Sequence, residues 1–367
     1  MTSPDTYTVG WICPLQEEYE AAREVLDEDL EGPEAAEKGD GNTYFFGRIG
    51  KHSVVIACLP PGRYGTTAAT RVAKDMMRSF PQLRFLLLVG TAGGAPTEEQ
   101  DIRLGDVVVS VPTDTAGGVV QYDYGKRAEE FLPTGHLNAP PTVLLGALPE
   151  VRRRHNYPKR FGGIDEHLQV FNNNPRFQKP KEEDRLFRPD ARHHGGNGCS
   201  KCDLNGLVLR PPRTSGRAVN VFYGTVASAN SLMKGATERD FYARDRKTKA
   251  LCFEMEAAGL MNDFPCMVIR GISNYSDSHK NDEWRCYAAA TAAAYAKELL
   301  FHSVMLMQQI AAEVAANIRH EIEAAQHVAR STQLPPWPAP QGCLRSRFEA
   351  EIEEEERWRR ETAFMNA

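Results

Sequence analysis

Short apolar runs alternate with amphipathic stretches along the first 111 residues. Residues 6–12 are largely apolar and stop at Cys13-Pro14, which predicts a strand. Leu15, Tyr19, Ala22 and Leu26 recur at helical spacing, so residues 16–26 predict a helix. An acidic, glycine-containing turn region follows over 32–42. Residues 43–49 and 53–59 predict a hairpin around Gly50, and 66–80 a second helix after the turn sequence PPGRYG. The run 84–89 is apolar after its first residue and leads into Gly90-Thr91-Ala92-Gly93-Gly94, which predicts a tight turn before a further strand at 107–111. Apolar strands between helices predict an α/β fold, with a central mixed sheet flanked by helices.

The stretch 251–277, LCFEMEAAGLMNDFPCMVIRGISNYSD, is the centre of the pattern. It predicts a strand, a helix of small residues stopped by Asn262, Asp263 and Pro265, and a second strand leaving as a polar loop. Two acids, Glu254 and Glu256, fall where the first strand ends, and polar residues 273–277 where the second ends. In open α/β sheets, ligands bind beyond the carboxyl ends of strands. On their own, the two acids read equally well as a solvated helix start.

Residues 151–217 break the pattern and read as an inserted irregular lobe, with 15 Lys and Arg against 7 Asp and Glu. A strand returns at 219–227, and a helix is predicted from Trp284 to about residue 326. The predicted organisation is one domain over 1–332, containing the basic insertion, and a Pro-rich linker with a charged tail over 333–367.

Composition narrows the picture. A chain of 367 residues with 41% hydrophobic and 25% charged residues can bury a sizeable core. A net charge of −5 argues against a nucleic-acid-coating protein. No run of 18 apolar residues predicts a membrane span, and the first residues lack the pattern of a secretory leader. Among the eight cysteines, Cys58, Cys252 and Cys266 fall in apolar strands, which suits free thiols in a reducing cytoplasmic setting.

FEMEAAG followed by VIRGISNYSD resembles the signature of the nucleoside phosphorylase/nucleosidase superfamily. GTAGG followed by LGDVV, and VGWICPLQEEY near the start, resemble further segments of it in the same order. The resemblance covers residues 7–126 and 218–302, and PGRYG, GVVQYDYGK and CFEMEAAGLM resemble most the phosphorylase-like N-terminal domains of fungal NOD-like receptors. It implies that Glu256 holds the ribose hydroxyls, that Glu18 activates the attacking water, and that position 274 serves the purine N7. Thr91, Ala92, Gly93, Glu254 and Met255 are implied around the substrate, with Ser228, Asn230, Leu232 and Ser273. Position 274 is Asn, where the family usually has Asp. Asn either selects 6-oxopurines through its amide or stands in for a lost acid and leaves a slow enzyme; Asp277 is the alternative acid.

The implied activity is hydrolysis of a purine nucleoside or nucleotide to free base and ribose or ribose phosphate, with no cofactor required. Nucleotides such as ATP, and a defence setting, come with the fungal resemblance. The phosphorylase alternative is weakened because a phosphate-binding turn with arginine is replaced by CPLQEE, and Leu88 stands before Val89-Gly90-Thr91. A non-catalytic nucleotide sensor is the other alternative. Relatives complete their sites across subunits, so a homo-oligomer is expected. For a phosphate group, the candidate contacts are Arg63, Lys126 and Arg192. His193-His194-x4-Cys199-x2-Cys202 has the spacing of a structural zinc staple.

Overall fold

The computed structural model describes residues 2–303 apart from 34–35, 128–130, 197, 200 and 214–216. The linker and tail expected over 333–367 lie outside the described residues, as does the predicted helix beyond 303.

Ten strands form one mixed sheet: β1 (Val9–Cys13), β2 (Glu28–Asp29), β3 (Tyr44–Ile49), β4 (His52–Cys58), β5 (Phe85–Gly94), β6 (Val107–Ser110), β7 (Val119–Gln121), β10 (Val221–Ser228), β11 (Ala250–Glu254) and β12 (Cys266–Asn274). β8 (Gly125–Arg127) and β9 (Phe131–Pro133) pair separately. The strand order is β11-β10-β6-β12-β5-β1-β4-β3-β2, with β7 beside β10. Phe85, Leu87 and Val89 face one apolar cluster, and Leu86 and Leu88 face the other. Both faces are covered, which is why β5 reads as an unbroken apolar run rather than an alternation.

The first cluster takes Ala21 and Ala22 of α1 (Gln16–Glu24), Leu144 and Leu148 of α3 (Thr142–Asn156), and the alanine-rich face of α7, which covers 285–303. The second takes Ala69, Val72, Ala73 and Met76 of α2 (Thr66–Ser79). Alanines let α7 lie close to the sheet. A Cβ on Gly271 of β12 would meet the Ala288 carbonyl at 1.8 Å.

Two sequence expectations are corrected. Gly90–Gly94 is not a turn but the end of β5. Gly93 pairs with Asn274 of β12 on one side and, antiparallel, with Phe253 of β11 on the other, so ladder bonds hold it extended. The helix predicted after Glu256 is a single 3₁₀ turn, Ala257–Gly259. Gly259 lies where a Cβ would be 2.3 Å from the Thr66 carbonyl, so contact with α2, not local propensity, sets the shape there.

The insertion begins as regular structure, since α3 runs into it as far as Asn156 with Val151 and His155 buried. Beyond lie two single-turn helices, α4 (Pro158–Phe161) and α5 (Ile164–His167), then 3₁₀ turns and an isolated bridge between Phe187 and Leu207. Phe171 and Phe177 anchor it in the first cluster. Part of its positive charge docks it to the rest of the chain: Arg210 meets Asp101 at 3.4 Å, Arg213 meets Asp106 at 2.7 Å and Arg176 meets Glu20, while Arg210 also meets Asp184 within the insertion at 2.7 Å. α6 (Ala236–Arg244) precedes β11. Among the described residues, no helix is long and apolar enough to cross a membrane.

Candidate functional site

The antiparallel contact of β5 with β11 brings the carboxyl ends of β5, β11 and β12 to one place. A cavity of about 240 Å³ opens there, walled by the turn after β1, the end of β5, residues 231–233, the β11 end and the β12 end. Other depressions on the surface are larger, but none of them gathers several carboxylates around a buried guanidinium.

Glu18 reaches this cavity from the first turn of α1. Its carboxylate accepts from the Leu15 N–H at 2.7 Å, and from the Thr91 N–H at 2.6 Å and hydroxyl at 2.9 Å. The Leu15 bond closes the helix start in the manner of a capping box. The Thr91 bonds tie α1 to β5. Burial pushes the Glu18 carboxyl up, against the pull of Arg270 and these hydrogen bonds.

Arg270 was missed by sequence reasoning as a site residue. It is fully buried in β12, inside an otherwise apolar strand, and its guanidinium pairs with Glu254 and lies 3.4 Å from Glu256. That position is the signal that could have found it, because a buried cation needs acids around it. Gly90 makes the room: a Cβ there would sit 2.7 Å from both Arg270 and Glu18. Glu254 also accepts from the Glu256 and Ala257 N–H groups at 3.1 Å and so shapes the turn carrying Glu256. Glu256 accepts from the Gly65 N–H at 3.1 Å. Its carboxyl is pushed up to about 7, chiefly by burial and by Glu254 and Glu18, with Arg270 opposing.

At the end of β12, Asn274 is 7% exposed. Its amide nitrogen donates to the Ser273 hydroxyl at 3.1 Å, and its oxygen accepts from the Ser276 N–H at 3.0 Å. Gly93 permits this approach, since a Cβ there would lie 2.1 Å from the Ser276 hydroxyl. Phe253, Tyr64, Met233, Lys280 and Arg285 also line the cavity and were not singled out from the sequence.

Of the predicted residues, Glu18, Thr91, Ala92, Gly93, Leu232, Glu254, Met255, Glu256, Ser273 and Asn274 line one cavity. Ser228 and Asn230 stand behind it. Ser228 accepts from the Ala258 N–H at 3.0 Å, and Asn230 accepts from the Thr66 N–H and hydroxyl at 3.0 Å, at the start of α2. Arg63, Lys126 and Arg192 are exposed and outside the cavity wall, so that expectation is corrected. No described residue of the insertion lines the cavity. Its cations lie away from the wall, and the two that do line it after β12 belong to the polar loop and α7. Asp277 is buried against Arg239 (3.6 Å) and His279, outside the cavity wall, so it is not placed as a substitute acid. His193, Cys199 and Cys202 come together, with their ligand atoms within 4.8 Å of one another. His194 does not join them; only its backbone carbonyl is engaged, by Cys202.

Similarity to known proteins follows the same segments. The chain is 46% identical over 300 residues to a nucleotide-binding leucine-rich repeat (NLR)-like protein of Hyaloscypha variabilis. That alignment takes in 81% of this chain and 29% of the relative, so the chain spans under a third of that protein's length. It is 24% identical over 306 residues to the 5'-methylthioadenosine/S-adenosylhomocysteine nucleosidase of Mycobacterium bovis, covering 80% of this chain and 95% of that one. Among solved structures, futalosine hydrolase of Helicobacter pylori shares the fold, with a TM-score of 0.51 at 18% identity over 80% of this chain and 97% of the other. The family model described as Phosphorylase superfamily matches residues 8–300, from the start of β1 into α7, and with the sheet order and the gathered carboxylates this places the chain in the phosphorylase superfamily.

Proposed function

We propose that this cavity binds a purine nucleoside or nucleotide and hydrolyses its N-glycosidic bond, releasing free base and ribose or ribose phosphate. The observation that carries the reading is the convergence of Glu18, Glu256 and Asn274 on one cavity. Cleavage builds oxocarbenium character on the sugar, and a carboxylate at the ribose hydroxyls stabilises it. Glu256 takes that post. Glu18, whose carboxyl burial raises and so makes more basic, takes the post of the base that deprotonates water. Phe253 offers a ring for the base, and Asn274 a hydrogen-bonding amide at its edge. The nucleosidase named among the relatives supports the reaction type.

Lys280 and Arg285 on the wall support a phosphorylated 5′ end, ATP-type nucleotides included. They replace the insertion as the source of positive charge. The same two cations are what a phosphorylase reading would rest on. A second reading, binding with little turnover, is favoured by Asn274, because an amide cannot protonate a leaving base, and by the NLR-like relative. We take the working form to be a homo-oligomer, which light scattering of the purified chain tests.

The deciding experiment incubates the chain with a panel of purine nucleosides and nucleotides, with and without phosphate, and separates the bases by chromatography. Base release without phosphate is the expected result. Release only with phosphate makes the chain a phosphorylase, and tight binding without release makes it a sensor.

A further inference from the structure

The insertion has little regular structure after Phe177, yet one cluster within it is organised. His193, Cys199 and Cys202 present their ligand atoms within 4.8 Å of one another, and both thiols are free. Donors around tetrahedral zinc sit about 3.3–3.8 Å apart, given Zn–S and Zn–N distances of about 2.3 and 2.0 Å. The His193 Nε2 lies 3.3 Å from the Gly198 carbonyl, and donation there leaves Nδ1 with its lone pair.

An independent observation points to the same place. His279, in the loop after β12, is 6% exposed, and its Nε2 is buried without a hydrogen-bond partner. A buried polar atom left unpaired is costly, so its presence calls for a reason. The His279 ring stacks on Phe187 at 3.8 Å and meets the edge of the His193 ring at 5.4 Å. Its backbone carbonyl faces the Cys199 thiol at 3.8 Å. Its Nδ1 lies 3.8 Å from Asp277, whose carboxylate accepts from the His279 backbone N–H at 2.9 Å.

We propose that His193, Cys199, Cys202 and His279 hold one zinc ion that staples the insertion to the loop following β12. His279 stands outside the 4.8 Å group and completes it by turning its ring toward the thiolates. Two sulfur and two nitrogen donors suit zinc, and four protein ligands leave no open position, so the role is structural. The loop that would be pinned begins three residues after Asn274 and runs to Lys280, tying the ion to one wall of the cavity.

The test uses the purified full chain, stripped with a chelator and titrated with zinc, then with cobalt as a spectroscopic probe. We expect one equivalent of metal per chain and a thiolate-to-cobalt charge-transfer band with tetrahedral ligand-field absorption. Cys199→Ser and Cys202→Ser should each weaken that band, and both together abolish it. His279→Ala should weaken zinc binding at least 10-fold while leaving the thiolate band visible. No bound metal and no band in the parent chain would overturn the site, and unchanged affinity in His279→Ala would overturn the fourth ligand. These readouts do not depend on turnover, so the zinc site and the nucleosidase reading stand or fall separately.

Discussion

At the residue scale, the site is a problem in buried charge. Glu18, Glu254 and Glu256 crowd around the buried guanidinium of Arg270, so the acids cannot all ionise cheaply. With its carboxyl near 7, Glu256 is neutral in mild acid and charged in mild base. Neutral Glu256 would stabilise a cationic sugar less well. The expected kcat/KM therefore rises with pH through about 7, and Glu256→Gln should lose both most of the activity and that limb. A flat profile for the folded parent between about pH 5.5 and 8 would remove Glu256 from the chemistry. For Glu18→Gln, which keeps the shape but not the basicity, we expect turnover to drop by roughly 10²–10⁴-fold. Asn274→Asp should keep the Ser276 contact and add a proton donor. If the amide stands where an acid was lost, adenine release should climb by roughly 10²-fold or more. Brisk turnover of inosine by the parent, with no gain for adenosine in the variant, would instead make Asn274 a specificity residue.

At the element scale, small residues decide how closely backbones meet. The β12–α7 contact at Gly271 leaves no room for a methyl, and the atom in the way is a backbone carbonyl. Gly271→Ala should cost more than about 2 kcal/mol, read as a lower denaturant midpoint at unchanged slope. An unchanged midpoint would show that α7 can slide. The strands and main helices were legible because apolar run length and helical spacing are local properties. The end of β5 was not, since GTAGG reads as a turn until β11 and β12 supply partners on both sides. The 3₁₀ turn after Glu256 was equally hidden, because the contact of Gly259 with α2 comes from Thr66, 193 residues earlier in the chain.

At the scale of the whole described molecule, Glu298 of α7 ties α3 and α5 to α7 on one face of the sheet. Arg154 of α3 donates to it at 2.8 Å, and His167 and His302 approach at 2.7 and 3.2 Å. Burial would raise this carboxyl, but the hydrogen bonds from these partners outweigh it and hold it well below the usual carboxylate range. A depressed carboxyl adds stability that is present above its unfolded pKa, about 4.3, and fades as pH falls below that. Glu298→Ala should therefore cost about 2–4 kcal/mol at neutral pH, with the gap to the parent closing in acid. A gap that stays constant down to about pH 3 would refute the linkage. The fold class, the main strands and helices, and half of the cavity wall are legible in the residues alone, because those depend on local pattern and on motif wording. It takes the folded chain to place Arg270 against the carboxylates, Arg176, Arg210 and Arg213 of the insertion on acids outside it, and the His279 carbonyl beside Cys199. Those are contacts between distant segments, and no local pattern of residues encodes the distance between two parts of a chain.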